Sequence, residues 1–202
     1  MKKQRATYEF DDVLNRFSVS LRNHSRRVAI CSALIAEQVS GQRIFFDIPT
    51  DTPLSVISHL GGTCHDIGKL MIPAIGIKGG EYRKHPALGA MFLERHKAEL
   101  FGDEALAEVV LDVVRYHHER IDGAGFPAGL KGYEIPMIVG ICSVADELDN
   151  TLYLGNVRCE TEEEVFKKLK SRAGKQYHEC IWACAEHAWP CLIEKYHSWI
   201  EP

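Results

Sequence analysis

His117-His118-Glu119-Arg120-Ile121-Asp122-Gly123-Ala124-Gly125-Phe126-Pro127 decides how the rest of this 202-residue chain is read. The two adjacent imidazoles close a segment, residues 103–118, in which Leu106, Val109, Val110, Val113 and Val114 recur at helical spacing. Beyond them, Asp122-Gly123 and Gly125 punctuate the chain and allow backbone angles closed to residues with a Cβ. A histidine pair ending a buried helix, followed by a pliant turn, suits a metal site with a substrate rim. The pair alone is weak evidence. The ordered run through Pro127, Gly129, Leu130, Gly132, Ile135 and Pro136 gives it weight.

Metal chemistry needs further ligands, and the flanking sequence offers them. In the helical pattern 19–39, His24 lies on the inward stripe with Leu21, Val28, Cys31 and Ile35, where a lone histidine is more often a satisfied core residue. Thr52-Pro53 reads as an N-cap followed by proline at the first helical position. The helix it opens carries Leu54, Ile57 and Leu60 towards Cys64-His65-Asp66-Ile67-Gly68-Lys69. His-Asp pairs are common by chance; this one, followed by Ile-Gly-Lys after an apolar helix, is far less so. After a loop at 73–80, His85-Pro86 begins another helix. Pro136 opens a helix with Val139, Cys142, Asp146 and Asp149 along one face, and an aspartate on an apolar face costs stability unless paired or metal-bound.

The remaining segments frame these motifs. Residues 8–17 predict a short helix packing Phe10, Leu14 and Phe17, and 41–49 a connector, partly extended around Ile44-Phe45-Phe46. Thr161-Glu162-Glu163-Glu164 is a capping box opening a helix to about Ala173, and Gly174-Lys175-Gln176-Tyr177 a turn before the closing helix. There Cys180, Cys184, His187 and Cys191 invite a second metal site, but their spacing has no zinc-finger form and core packing is the better reading.

Composition bounds the function classes. With 46% hydrophobic and 26% charged residues, the chain reads as one globular domain spanning 1–202. A net charge of -4 gives no footprint for a nucleic-acid polymer, so an anionic substrate needs metals or a few placed cations. No apolar leader follows Met1, and no stretch approaches the roughly 18 apolar residues of a membrane span. Seven cysteines without framework spacing fit reduced thiols. The expected location is the cytoplasm.

With these motifs in place, the chain resembles the HD-GYP family of bacterial metal-dependent phosphodiesterases, within the HD phosphohydrolase superfamily. The resemblance covers roughly 18–192 and is densest at 63–69 and 117–136. It implies an all-α HD-domain bundle around a binuclear metal centre. By the same resemblance His24, His65, Asp66 and Asp146 would hold one divalent ion, and Asp66 would bridge to a second completed by His85, His117 and His118. Iron or manganese is preferred, with zinc, nickel or others as substitutes in such a mixed shell. Some members take a third ion through a glutamate where this chain has Ser20, so two are expected.

The implied reaction is hydrolysis of cyclic di-GMP to pGpG and/or GMP, with two ions about 3.5–4 Å apart holding a bridging hydroxide. Asp66 and Lys69 are the catalytic candidates. Lys69, Arg120, Gly125, Phe126 and Pro127 are the substrate-binding ones, although a solvated helix end for Lys69 and a surface ion pair for Arg120 are the plainer alternatives. Three departures from the family pattern stand out: Gly125-Phe126-Pro127 in place of Gly-Tyr-Pro, a shortened loop before His85, and Asn150-Thr151-Leu152 in place of Ala-Leu-Thr. They keep two competitors open: a phosphohydrolase for another nucleotide or phosphate ester, and a non-hydrolytic cyclic-dinucleotide-binding signalling module. Signalling-protein partners and a homodimer are compatible with either; a membrane partner is not expected.

Overall fold

A computed structural model describes residues 14–39, 48–73, 80–154, 157–158 and 161–200 of the chain. Residues 8–13 of the expected first helix, the extended stretch at Ile44-Phe45-Phe46 and residues 74–79 of the loop before His85 lie outside that set; Leu14 and Phe17 are buried, as their spacing predicts.

The fold is all-α. Helix α1 runs Val19–Glu37 and α2 Leu54–Cys64; a 3-10 turn, Ile67–Met71, follows directly on the His65-Asp66 pair. A second 3-10 turn, Gly80–Lys84, leads into α3, His85–Leu100, and then come α4, Glu104–Tyr116, and α5, Met137–Leu152. Helices α6, Glu162–Lys170, and α7, Glu179–Ile200, close the fold. Among the described residues, strand pairing is confined to the antiparallel pair Tyr153–Leu154 with Val157–Arg158 and one bridge between Ala173 and Tyr177.

Local chemistry sets the helix ends, and three of them fall beside the expected places. Pro53 is the N-cap of α2 rather than its first residue, because its carbonyl takes the N–H groups of Val56 and Ile57 while its own ψ of 139° is extended. Helix α4 stops at Tyr116, leaving His117 as its C-cap and His118 beyond it, so the histidine pair is presented by a helix end and not by a helix face. Helix α6 stops at Lys170, short of Ala173, since Gly174 at φ +75° turns the chain back so that its N–H meets the Tyr177 carbonyl at 2.9 Å. The Thr161/Glu164 capping box forms as its spacing predicts.

A single apolar cluster joins Val28 and Ile35 of α1 to Ile57, Leu93, Val110, Val114, Ile141, Leu148, Leu169, Ile181 and Leu192 of the other helices. Two glycines let its helices approach closely enough to bring the motifs together. A Cβ on Gly62 of α2 would lie 2.7 Å from Ala29 Cα of α1, so the His65-Asp66 helix packs against the His24 helix at backbone distance. A Cβ on Gly68 would lie 1.9 Å from the His85 carbonyl oxygen and 2.6 Å from Gly89 N. Gly68→Ala must therefore separate the turn after Asp66 from the start of α3. We expect it to cost at least ~2 kcal/mol, read as a lowered urea midpoint, because the clashing atoms are backbone and have no rotamer to escape into.

Candidate metal centre

Helices α1, α3 and α5 and the C-terminal ends of α2 and α4 converge on one cluster of imidazoles and carboxylates. His24, from the middle of α1, brings Nε2 to 3.2 Å from His65 Nε2 and 3.1 Å from Asp146 Oδ1, which projects from α5. Asp66 Oδ2 lies 3.5 Å from His24 Nε2 and 3.4 Å from His65 Nε2. Its other oxygen, Oδ1, faces the opposite way, 3.2 Å from His85 Nε2 and 4.0 Å from His117 Nε2. His85 and His117 approach to 3.1 Å between their Nε2 atoms, and His118 completes that half. All seven residues predicted as ligands thus meet, in two sets with one carboxylate between them.

The imidazoles are held by their far nitrogens. Nδ1 of His65 reaches the Gly62 carbonyl at 2.8 Å, that of His85 the Tyr82 carbonyl at 2.7 Å, and that of His117 the Val114 carbonyl at 2.9 Å. A carbonyl only accepts, so each Nδ1 carries a proton and each Nε2 is the nitrogen turned inwards. His24 has a carboxylate instead, with Nδ1 2.7 Å from Asp149 Oδ2. Asp149 is completely buried and also receives Arg27 Nε, at 2.5 Å, and the Tyr196 hydroxyl, at 2.8 Å. Such outer partners fix the ring orientation of metal-binding histidines.

The donor set fits divalent ions. Asp66 Oδ1 is buried and has no hydrogen-bond donor, although it points at His85 and His117. A buried carboxylate oxygen among nitrogen lone pairs is costly unless a cation lies between them. The two halves differ in charge. In the first, burial opposes protonation of His24, but hydrogen bonds to Asp146, Asp149 and Asp66 outweigh it and raise its pKa to about 11. His65 is raised to about 9 against the same burial, chiefly by the neighbouring Asp66 charge. That field attracts positive charge, whether protons or a metal ion. In the second half burial and mutual repulsion dominate: His117 falls well below the ordinary histidine value and His118 to about 4, leaving neutral ligands.

The rim follows from the glycine-rich turn. Asp122 Oδ1 accepts the Ala124 N–H at 3.0 Å, with Gly123 at φ +78°. Gly125 serves backbone proximity, since a Cβ there would lie 2.4 Å from Arg120 N and 2.5 Å from Glu119 Cα. Phe126 stacks on His118, with ring centroids 4.7 Å apart, and lies beneath the Arg83 guanidinium at 4.6 Å. Pro127 is exposed just beyond. Arg120 forms a two-bond ion pair with Asp122 at the surface, the plainer of its two predicted fates, while still lining a cleft of about 250 Å³ with Arg83, His118, Phe126, Glu147 and Gln176. Lys69 contacts Asp66 Oδ2 directly, at the centre's edge.

Sequence reading missed three contributors. Asp149 and Tyr82 orient His24 and His85: the apolar face marked Asp149 as needing a partner without naming His24, and nothing in its spacing marks Tyr82. Glu119 is 3% exposed, and its carboxylate accepts the N–H groups of Ala128, Gly129 and Leu130 at 2.6, 3.1 and 3.1 Å. A buried charged residue beside a histidine pair was the available signal. Glu119→Ala strands three amides; we expect about 2–3 kcal/mol of lost stability and faster hydrogen exchange confined to residues 128–130.

The HD domain family model matches residues 21–151, which includes every one of the seven converging residues. The chain belongs to the HD domain family. It is 32% identical over 185 residues to a cyclic di-GMP phosphodiesterase of Thermotoga maritima, covering 84% of this chain and 46% of that protein. It is also 31% identical over 126 residues to a 3'3'-cGAMP-specific phosphodiesterase of Vibrio cholerae, covering 56% of this chain and 22% of that one. An HDG"Y"P protein from Bdellovibrio bacteriovorus shares the fold, with a TM-score of 0.58 at 21% identity, over 84% of this chain and 51% of that structure. This HD chain therefore spans about half, or less, of the length of the relatives it matches. No helix among its described residues is long and apolar enough to cross a membrane.

Proposed function

We propose that this HD-domain chain is a two-metal phosphodiesterase that hydrolyses cyclic di-GMP to pGpG and/or GMP. The observation that carries the reading is Asp66, one carboxylate with each oxygen turned to a different set of imidazoles. His24, His65, Asp66 and Asp146 would hold one ion, and Asp66, His85, His117 and His118 the other, iron or manganese by preference. When bound, the ions supply charge neutralisation at the phosphodiester and an activated water nucleophile.

The chain's own groups do the rest. Lys69, already beside Asp66, offers an ammonium to a phosphoryl oxygen or to the departing oxygen. Arg83 and Arg120 line the cleft and give positive charge to a substrate that the net charge of -4 would otherwise repel. Phe126 keeps its ring packed on His118, walling the second ion's side against water. The Thermotoga relative's named activity supports the cyclic di-GMP reading.

A second reading, hydrolysis of 3'3'-cGAMP, is favoured by the Vibrio relative's named specificity and by Phe126, whose ring lacks the hydroxyl of the Gly-Tyr-Pro signature. Anaerobically purified protein of measured metal content, given both dinucleotides with Fe(II) or Mn(II), decides between them. Product from cyclic di-GMP at the higher kcat/KM supports the first reading, the reverse order supports the second, and no product from protein carrying two ions refutes both.

A further inference from the structure

We propose that the hydroxyl of Tyr82 is a substrate-binding group, donating a hydrogen bond to a non-bridging phosphoryl oxygen held at the second ion; this rests on the two-metal reading above. Tyr82 occupies the 3-10 turn Gly80–Lys84, directly before α3. Its backbone carbonyl fixes His85 by accepting from Nδ1 at 2.7 Å, a task any residue at that position would perform. Its ring packs 4.8 Å from the His85 ring and beneath the Lys69 ammonium at 5.3 Å, which a phenylalanine ring would also do. Neither role accounts for the hydroxyl.

The hydroxyl lies 3.2 Å from Nε2 of His118, on a half-buried side chain at the mouth of the centre. The rings of Tyr82, His85, His117 and Phe126 surround His118. An ion held through Nε2 of His118 would take the lone pair that the hydroxyl proton now meets. The hydroxyl, left half-buried, must then turn to another acceptor, because an unmade hydrogen bond there is costly. It lies beside His118, one of the residues that would hold the ion, on a ring beneath Lys69, so an anionic oxygen brought to that ion would be the acceptor within reach. Tyr82 and Lys69 would then grip the phosphodiester together. No proton is transferred in this contact.

Tyr82→Phe keeps the carbonyl and the ring and removes only the hydroxyl. Wild type and variant are loaded with Mn(II), their metal content is measured, and inorganic phosphate is titrated into each by calorimetry. We expect two ions in both proteins and a phosphate Kd raised about tenfold in the variant, the size of one hydrogen bond to a charged group. An unchanged Kd overturns the inference and leaves the two-metal reading intact. A variant holding only one ion also overturns it, because the hydroxyl would then be a support for His118. Wild type that takes up no Mn(II) overturns both, since the hydroxyl keeps His118 as its partner.

Discussion

Asp66→Asn is expected to abolish phosphodiester hydrolysis, by ~10³-fold or more, and to lower the stability of the metal-free fold as well. The two effects have one cause. Asp66 is 1% exposed; its Oδ2 faces Lys69, His24 and His65, while its Oδ1 has no donor. Burial would raise its pKa, but the charges of His65 and Lys69 hold it well below the ordinary carboxylate value, so it remains an anion. Replacing that anion by a neutral amide of the same shape takes the counter-charge from Lys69, His24 and His65 in the metal-free protein. It also puts an N–H where an ion has to sit and removes the one group common to both halves. Metal content falling below two ions, with a lowered apo melting temperature, is the expected pair of results. A variant that kept both ions and its turnover would end the bridging reading of Asp66.

Six of the seven converging residues carry a local mark: His65-Asp66 followed by Ile-Gly-Lys, His85 before a helix-starting proline, His117-His118 before a glycine-rich turn, Asp146 on an apolar face; His24 came through the family resemblance alone. What pattern alone left open was whether they meet. Their convergence depends on Gly62 and Gly68, whose missing Cβ atoms allow backbone contact with Ala29 and His85, 33 and 17 residues away. Spacing cannot report that, since a helical glycine reads only as a weak helix former. The supporting groups were hidden for a related reason. Glu119 and Tyr82 act on partners fixed by tertiary geometry: three amides nine to eleven residues onward, and an imidazole 36 residues away. The helix ends fell a few residues from their expected places where a carbonyl at Pro53 or a positive φ at Gly174 overrode periodicity. The packing reading of the C-terminal cysteines holds for a buried Cys184 and a half-buried Cys180 but not for Cys191, which is exposed; His187 bonds to Ala183 O of its own helix.

Asp149→Ala should lose stability and one ion together, although it removes none of the seven converging residues. Asp149 is buried among three donors on two other helices: His24 and Arg27 from α1, and Tyr196 from α7. Removing the carboxylate leaves the largely buried Arg27 guanidinium without its partner, a change of the kind that costs about 3–5 kcal/mol. It also frees His24 to rotate, and losing such a support weakens metal binding by roughly 10–100-fold. The loss should fall on the ion held by His24, His65, Asp66 and Asp146, because His85 and His117 are held by the Tyr82 and Val114 carbonyls, which the substitution does not touch. The pH dependence gives an independent check on metal-free protein. Burial favours the neutral Asp149 carboxyl, but its bonds from His24 and Arg27 win and depress its pKa below 3.8. A depressed carboxylate contributes stability that is fully present above its unfolded value and disappears as pH falls through the folded one. The gap between wild type and Asp149→Ala in urea denaturation should therefore be constant from neutral pH down to about 5 and close below about 4. A gap that persisted unchanged into acid would mean that the side chain's volume, rather than its charge, holds α1 against α5 and α7.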